Sequence, residues 1–88
     1  MERVEAELFT DGGNDAVVRL PGRNFPGVLI QGDTLSTLQA DVAELVELCA
    51  AGDVGEAQRV ANLLHADLGA KLMRYSEALE AHGISRPF

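Results

Sequence analysis

The 88 residues carry 14 acids against 7 bases, a formal net charge of −7. A chain this short is one domain with a thin core, burying roughly 60% of the surface its unfolded form exposes. The acidic excess argues against nucleic acid and anionic membranes as partners and leaves room for a basic protein.

One cysteine, Cys49, provides no disulfide. With neither disulfide nor metal to help a small core, oligomerisation is the expected support. The start "MERVEAELF" lacks the apolar run of a leader, and no stretch is long enough to span a bilayer. A cytoplasmic location is the expectation. Richness in Ala, Val, Gly and Leu, with Lys71 the sole lysine, suggests a bacterial source of high GC content.

Residues 3–9, "RVEAELF", alternate: Val4, Ala6 and Leu8 take one face, Arg3, Glu5 and Glu7 the other. Period two predicts a half-buried strand. "TDGGND" then suits a hairpin turn with positive φ, and "AVVRL", 16–20, is the returning strand, with Val17 and Arg19 on one face. "PGRNFPG", 21–27, contains two Pro-Gly pairs, each a turn signal. Phe25 between them is expected to tuck inward and Arg23 to point out. "VLIQ", 28–31, is the third strand.

Helix one starts at Asp33 or Thr34, both good N-caps. Leu35, Leu38, Val42, Leu45, Val46 and Cys49 recur at spacings of three and four and form one apolar stripe. Gly52 ends it. "DVGE", 53–56, fits a capping box with Asp53 as cap. Helix two then runs over about 54–82, to a C-cap at Gly83. Its stripe comprises Ala57, Val60, Ala61, Leu64, Leu68, Leu72, Tyr75 and Leu79. Gly69 inside it suggests close packing or a slight bend.

The predicted order is β-β-β-α-α, an α+β fold in which helix one covers a three-stranded antiparallel sheet. Helix two is longer than helix one by about ten residues, so part of it lacks a helical partner within the chain. That overhang predicts a homodimer or larger assembly through Leu63, Leu68, Leu72, Met73, Tyr75 and Leu79.

Chemistry finds little footing. His65 and His82 stand 17 apart with no ligand at same-face spacing, so no metal is expected. The glycines match neither phosphate-loop spacing, and Asp33 puts a negative charge where an anion would sit. Ser36, Ser76 and Ser85 lack a nucleophile-elbow context. Neither a cofactor nor an enzymatic activity is expected. Asp41, Glu44, Glu47, Asp53 and Glu56 crowd a stretch with no Lys or Arg between Arg23 and Arg59. Such a run is either a solvated helix face or a docking face for a basic partner.

The segment "VVRLPGRNFPGVLIQGDTLSTLQADVAELVELCAAG" resembles the amino-terminal domain of HicB-type antitoxins. The resemblance covers residues about 3–52 and rests on the order "PG…QGDTL…E", with Glu44 or Glu47 as the final acid. It implies a βββα core that binds a basic toxin and has no nuclease activity of its own. Here "LPGRNFPG" inserts an extra corner, and a long helix at 53–83 stands where such antitoxins carry a DNA-binding segment. The whole chain also resembles a family of small, uncharacterised bacterial proteins sharing "LPGR.FPG…QGD".

The expectation is therefore a non-enzymatic, HicB-like protein-binding module, an antitoxin or immunity-type partner of a basic protein. Its binding residues would be Arg23, Phe25, Asp41, Glu44, Glu47, Asp53 and Glu56. The alternative is a small-molecule-binding or regulatory subunit using the Arg23 loop.

Overall fold

The computed structural model describes residues 1–88. Three short strands, β1 (Glu7–Leu8), β2 (Val17–Arg19) and β3 (Gly27–Val28), precede two helices, α1 (Gly32–Ala50) and α2 (Val54–Ala81). The fold is α+β with a long second helix, as the periodicities predict. Contacts divide the chain into two compact units, Met1–Ile30 with Lys71–Phe88, and Gln31–Ala70, so α2 contributes to both.

In the first unit the sheet order is β1-β2-β3. Both pairings are antiparallel, with Glu7 opposite Arg19, Leu8 opposite Val18, Val17 opposite Val28 and Val18 opposite Gly27. The alternation over residues 3–6 does not extend β1, because strand β2 offers only three residues to pair with. An unpaired period-two segment has no ladder to hold it.

The sheet's core partner is the last third of α2, not helix one. Val17, Tyr75, Ala78 and Leu79 form the buried cluster, with Phe9, Val28 and Ile84 packed against it. Val17 and Leu79 are both 0% exposed. Burying a side chain of this kind fully contributes about 1.5–3 kcal/mol. Tyr75 and Leu79, expected at an oligomer interface, therefore belong to the intrachain core. The overhang of helix two is the segment on which the sheet rests.

Polar contacts tie the loops to this core. The Tyr75 hydroxyl donates to the Pro26 carbonyl at 2.7 Å in a buried bond. Pro21 and Gly22 (φ +79°) form a type II turn closed by the Arg23 amide donating to the Leu20 carbonyl at 3.2 Å. Pro26-Gly27 is not a second such turn: Gly27 lies within β3. In the hairpin loop the left-handed position is taken by Asp15 (φ 58°) rather than by a glycine. Lys71 Nζ holds its carboxylate at 3.2 Å, and Arg74 donates to its carbonyl at 3.4 Å and to the Asp11 carboxylate at 3.0 Å. These cross-links from α2 offset the strain at Asp15.

In the second unit, α1 begins at Gly32, one residue before Asp33 and two before Thr34, the predicted caps. Gln31 is its N-cap and makes no side-chain capping bond. Asp33 and Thr34 lie in the first turn instead. The Asp33 carboxylate accepts from the Thr34 amide at 2.9 Å and favours the helix by charge, not as a cap. The other turns agree with the prediction. Gly52 (φ 74°) closes α1, with the Asp53 amide donating to the Leu48 carbonyl. Asp53 caps α2 by accepting from the Glu56 amide at 3.2 Å, but Glu56 bonds Arg59 at 3.0 Å, so only one arm of the capping box forms. At the far end Gly83 (φ 68°) makes a Schellman turn, with the Ile84 amide donating to the Leu79 carbonyl at 3.0 Å. Gly69 has nothing within 4 Å of where a Cβ would stand, so close packing does not explain it.

Candidate functional site

Two surfaces collect the predicted binding residues, one in each unit. The first is a cleft beside β3. Val18 stands opposite Gly27, which has no side chain, and this leaves a notch in the outer face of the sheet. Val18, Leu20, Phe25, Pro26 and Leu29 line the resulting cleft of 390 Å³, with Arg23 at its rim. Phe25 does not tuck inward: it is exposed along the cleft wall, and the buried residue of the loop is Pro26. The Tyr75 hydroxyl fixes that proline's carbonyl. Arg23 makes no ion pair, so its guanidinium is available to an anion.

The inner face of the same sheet is already spent on structure. Arg19 makes a two-point bond to Glu7 at 2.8 and 2.9 Å and lies 5.4 Å from the centre of the Phe9 ring. That hydrogen bond, more than direct charge attraction, holds the Glu7 carboxyl below its usual pKa despite its small desolvation. Phe9 meets His82 edge-on at 4.9 Å, and His82 Nδ1 lies 2.8 Å from the Ala78 carbonyl, which requires that nitrogen to carry the proton. His82 is thus a structural residue.

The second surface is the acidic side of α1. Asp41 is half-buried, whereas Glu44 and Glu47 are exposed. None of the three makes an ion pair, and α1 has no basic residue in its last turn to offset them. Asp53 and Glu56 do not join this face freely, since Asp53 caps α2 and Glu56 is paired with Arg59. Asp41, Glu44 and Glu47 are thus the three of the five acids without an intrachain partner. Of the expected oligomer residues, Leu63, Leu68, Leu72 and Met73 are all exposed by half or more.

Sequence reasoning missed the Asp11–Asp15–Lys71–Arg74 cluster. Its members lie 56 to 63 positions apart, and only the hairpin's return to α2 brings them together. No group of three His, Cys, Asp or Glu is placed to hold a metal ion, and no helix is long and apolar enough to cross a membrane.

Comparison with known proteins gives no match among curated proteins and none among solved structures. One family model covers the chain over residues 1–88, that of a Family of unknown function (DUF6959). By that full-length match, the chain belongs to the DUF6959 family.

Proposed function

We propose that this chain is a non-enzymatic, cytoplasmic protein-binding module whose acidic α1 face docks a basic protein. The observation that carries the reading is the unneutralised row of Asp41, Glu44 and Glu47. With Glu44 and Glu47 exposed, Asp41 half-buried and none of them paired within the chain, their field is directed outward, where it speeds and selects a cationic partner. An antitoxin or immunity-type role, with the partner's active surface occluded, is the HicB-like form of this proposal. Its support is the "PG…QGDTL" segment followed by an amphipathic helix bearing Glu44 and Glu47.

The test compares proteins captured by the wild-type chain with those captured by Glu44→Lys/Glu47→Lys, at low and high salt. Loss of basic partners from the double variant, and their weakening by salt, is expected. An unchanged partner list would refute the acidic-face reading.

A second reading rests on the Arg23 cleft. Apolar walls around a single unpaired guanidinium suit a small amphipathic carboxylate, whose tail lies along Leu20, Phe25 and Leu29. Gly27 has open space at its Cβ position and no positive φ, so Gly27→Val fills the notch without backbone strain. A carboxylate that raises the melting temperature of the wild type, but not of Arg23→Gln or Gly27→Val, would support this reading. A shift surviving both changes would refute it.

A further inference from the structure

The sheet of the first unit has an open edge. β1 is an outer strand of the β1-β2-β3 order, so one of its long sides meets no strand. The chain before it, residues 1–6, runs without helix, turn or bend and is exposed throughout. It makes no hydrogen bond or ion pair within the chain. An outer strand of this kind is a template for another strand unless something blocks it. The opposite edge is blocked: β3 has two residues and follows Pro26, which has no amide to donate.

β1 fixes which main-chain groups an arriving strand would meet. The Phe9 amide donates to the Val17 carbonyl at 2.9 Å, so the odd positions of this strand point toward β2. Alternation then directs the amides and carbonyls of Glu2, Val4 and Ala6 to the open edge.

The side chains select the strand that fits. In antiparallel pairing with a second copy, a two-fold axis at Val4 sets Val4 against Val4, Ala6 against Glu2 and Arg3 against Glu5, the last pair twice. Val4 and Ala6 sit on the bonded positions. Arg3 and Glu5 fall between them, where opposed side chains approach most closely. Neither Arg3 nor Glu5 has a partner in its own chain. The neighbouring registers fail on charge. An axis at Arg3 opposes two arginines, and an axis at Ala6 opposes Glu5 with Glu7 twice. An axis at Glu5 opposes two glutamates and sends Arg3 to Glu7, which Arg19 already holds at 2.8 and 2.9 Å. The run Arg3-Val4-Glu5 is thus complementary to itself in one register, the property an isologous contact needs. Val4, 57% exposed, shares the face of Leu8, 53% exposed, so its pairing extends the apolar outer side of the sheet.

We propose that residues 2–6 of two copies pair as antiparallel strands about Val4 and join two three-stranded sheets into one of six strands. The contact lies apart from the acidic side of α1 and holds whether or not that side docks a partner.

The test follows the mass of the full chain in solution by light scattering over a concentration series, with circular dichroism checking that each variant keeps its helices. Wild type is expected to approach twice the chain mass. Val4→Pro removes the axial amide of both copies, outside the β1–β2 ladder, and should weaken association by about 100-fold or more. Arg3→Glu and Glu5→Arg should each weaken it by about 10-fold. The double variant Arg3→Glu/Glu5→Arg restores opposite charges in reversed order and should recover the dimer. Val46→Glu on α1 and Leu63→Glu on α2, at positions 63% and 61% exposed, should leave the mass unchanged. Amide exchange in the dimer should be slow at Val4 and Ala6 and fast at Arg3 and Glu5. A monomer at all concentrations, a dimer indifferent to Val4→Pro, a double variant as weak as its single parents, or loss of the dimer with Val46→Glu or Leu63→Glu would overturn the proposal.

Discussion

Tyr75→Phe isolates one buried hydrogen bond. Tyr75 is 5% exposed, and its hydroxyl donates to the Pro26 carbonyl at 2.7 Å. Pro26 is itself buried. The substitution keeps the ring in the Val17–Leu79 cluster and its stacking on Phe88 at 6.2 Å, so packing is nearly unchanged. What remains is a buried carbonyl without a donor, which costs about 1–3 kcal/mol. A protein of this size has a total stability of roughly 4–13 kcal/mol, and each kcal/mol moves its midpoint by about 4–8 °C. Urea unfolding followed by helical circular dichroism, with wild type and variant at equal concentration, should show a lower midpoint and an unchanged slope. A loss below about 0.3 kcal/mol would mean that water satisfies the Pro26 carbonyl and that the bond does not anchor the loop. The same bond holds the floor of the Arg23 cleft, so faster amide exchange over residues 22–27 should accompany the loss.

The two glycines on α2 and its cap should respond oppositely to alanine. Gly69→Ala has open space and helical φ, so it should stabilise by about 0.4–1 kcal/mol, whereas Gly83→Ala at φ +68° should destabilise by about 1 kcal/mol; thermal melts decide both signs. Asp53→Ala removes the acceptor of the Glu56 amide and should cost about 0.5–2 kcal/mol. Asp33→Ala, which removes no cap, should cost clearly less in the same melts. The Glu7 carboxyl is depressed by its hydrogen bond to Arg19, so the folded state holds this proton less tightly than the unfolded chain. The pair's contribution is therefore present above the unfolded pKa of about 4.3 and is lost as pH falls through the lower folded value. Carboxyl-carbon NMR titration should find the Glu7 midpoint below the ordinary glutamate value, and Arg19→Gln should raise it.

Elements with local causes were legible in the sequence. The βββαα order, the Gly52 and Gly83 stops and the Asp53 cap each follow from a few neighbouring residues whose backbone preferences agree. The α1 start was misplaced because Asp33 and Thr34 satisfy a capping rule that the chain leaves unused, Gln31 serving without a side-chain bond. Of the binding residues, Arg23 and Phe25 do share a surface, because one short loop carries both. Asp53 and Glu56 each meet a nearby partner that charge counting ignores.

The sequence by itself determined which residues are apolar in which period, and hence the class of fold, the number of elements and the length of α2. It could not determine what each apolar stripe meets. A stripe states that a face avoids water, and the hydrophobic effect has no direction or address. Only the tertiary structure assigned Tyr75 and Leu79 to the sheet rather than to an assembly, and only it left Leu35, Val42 and Val46 open. Contacts such as Lys71 with Asp15 join residues 56 positions apart, and that pairing becomes a preference only once the hairpin and helix stand side by side.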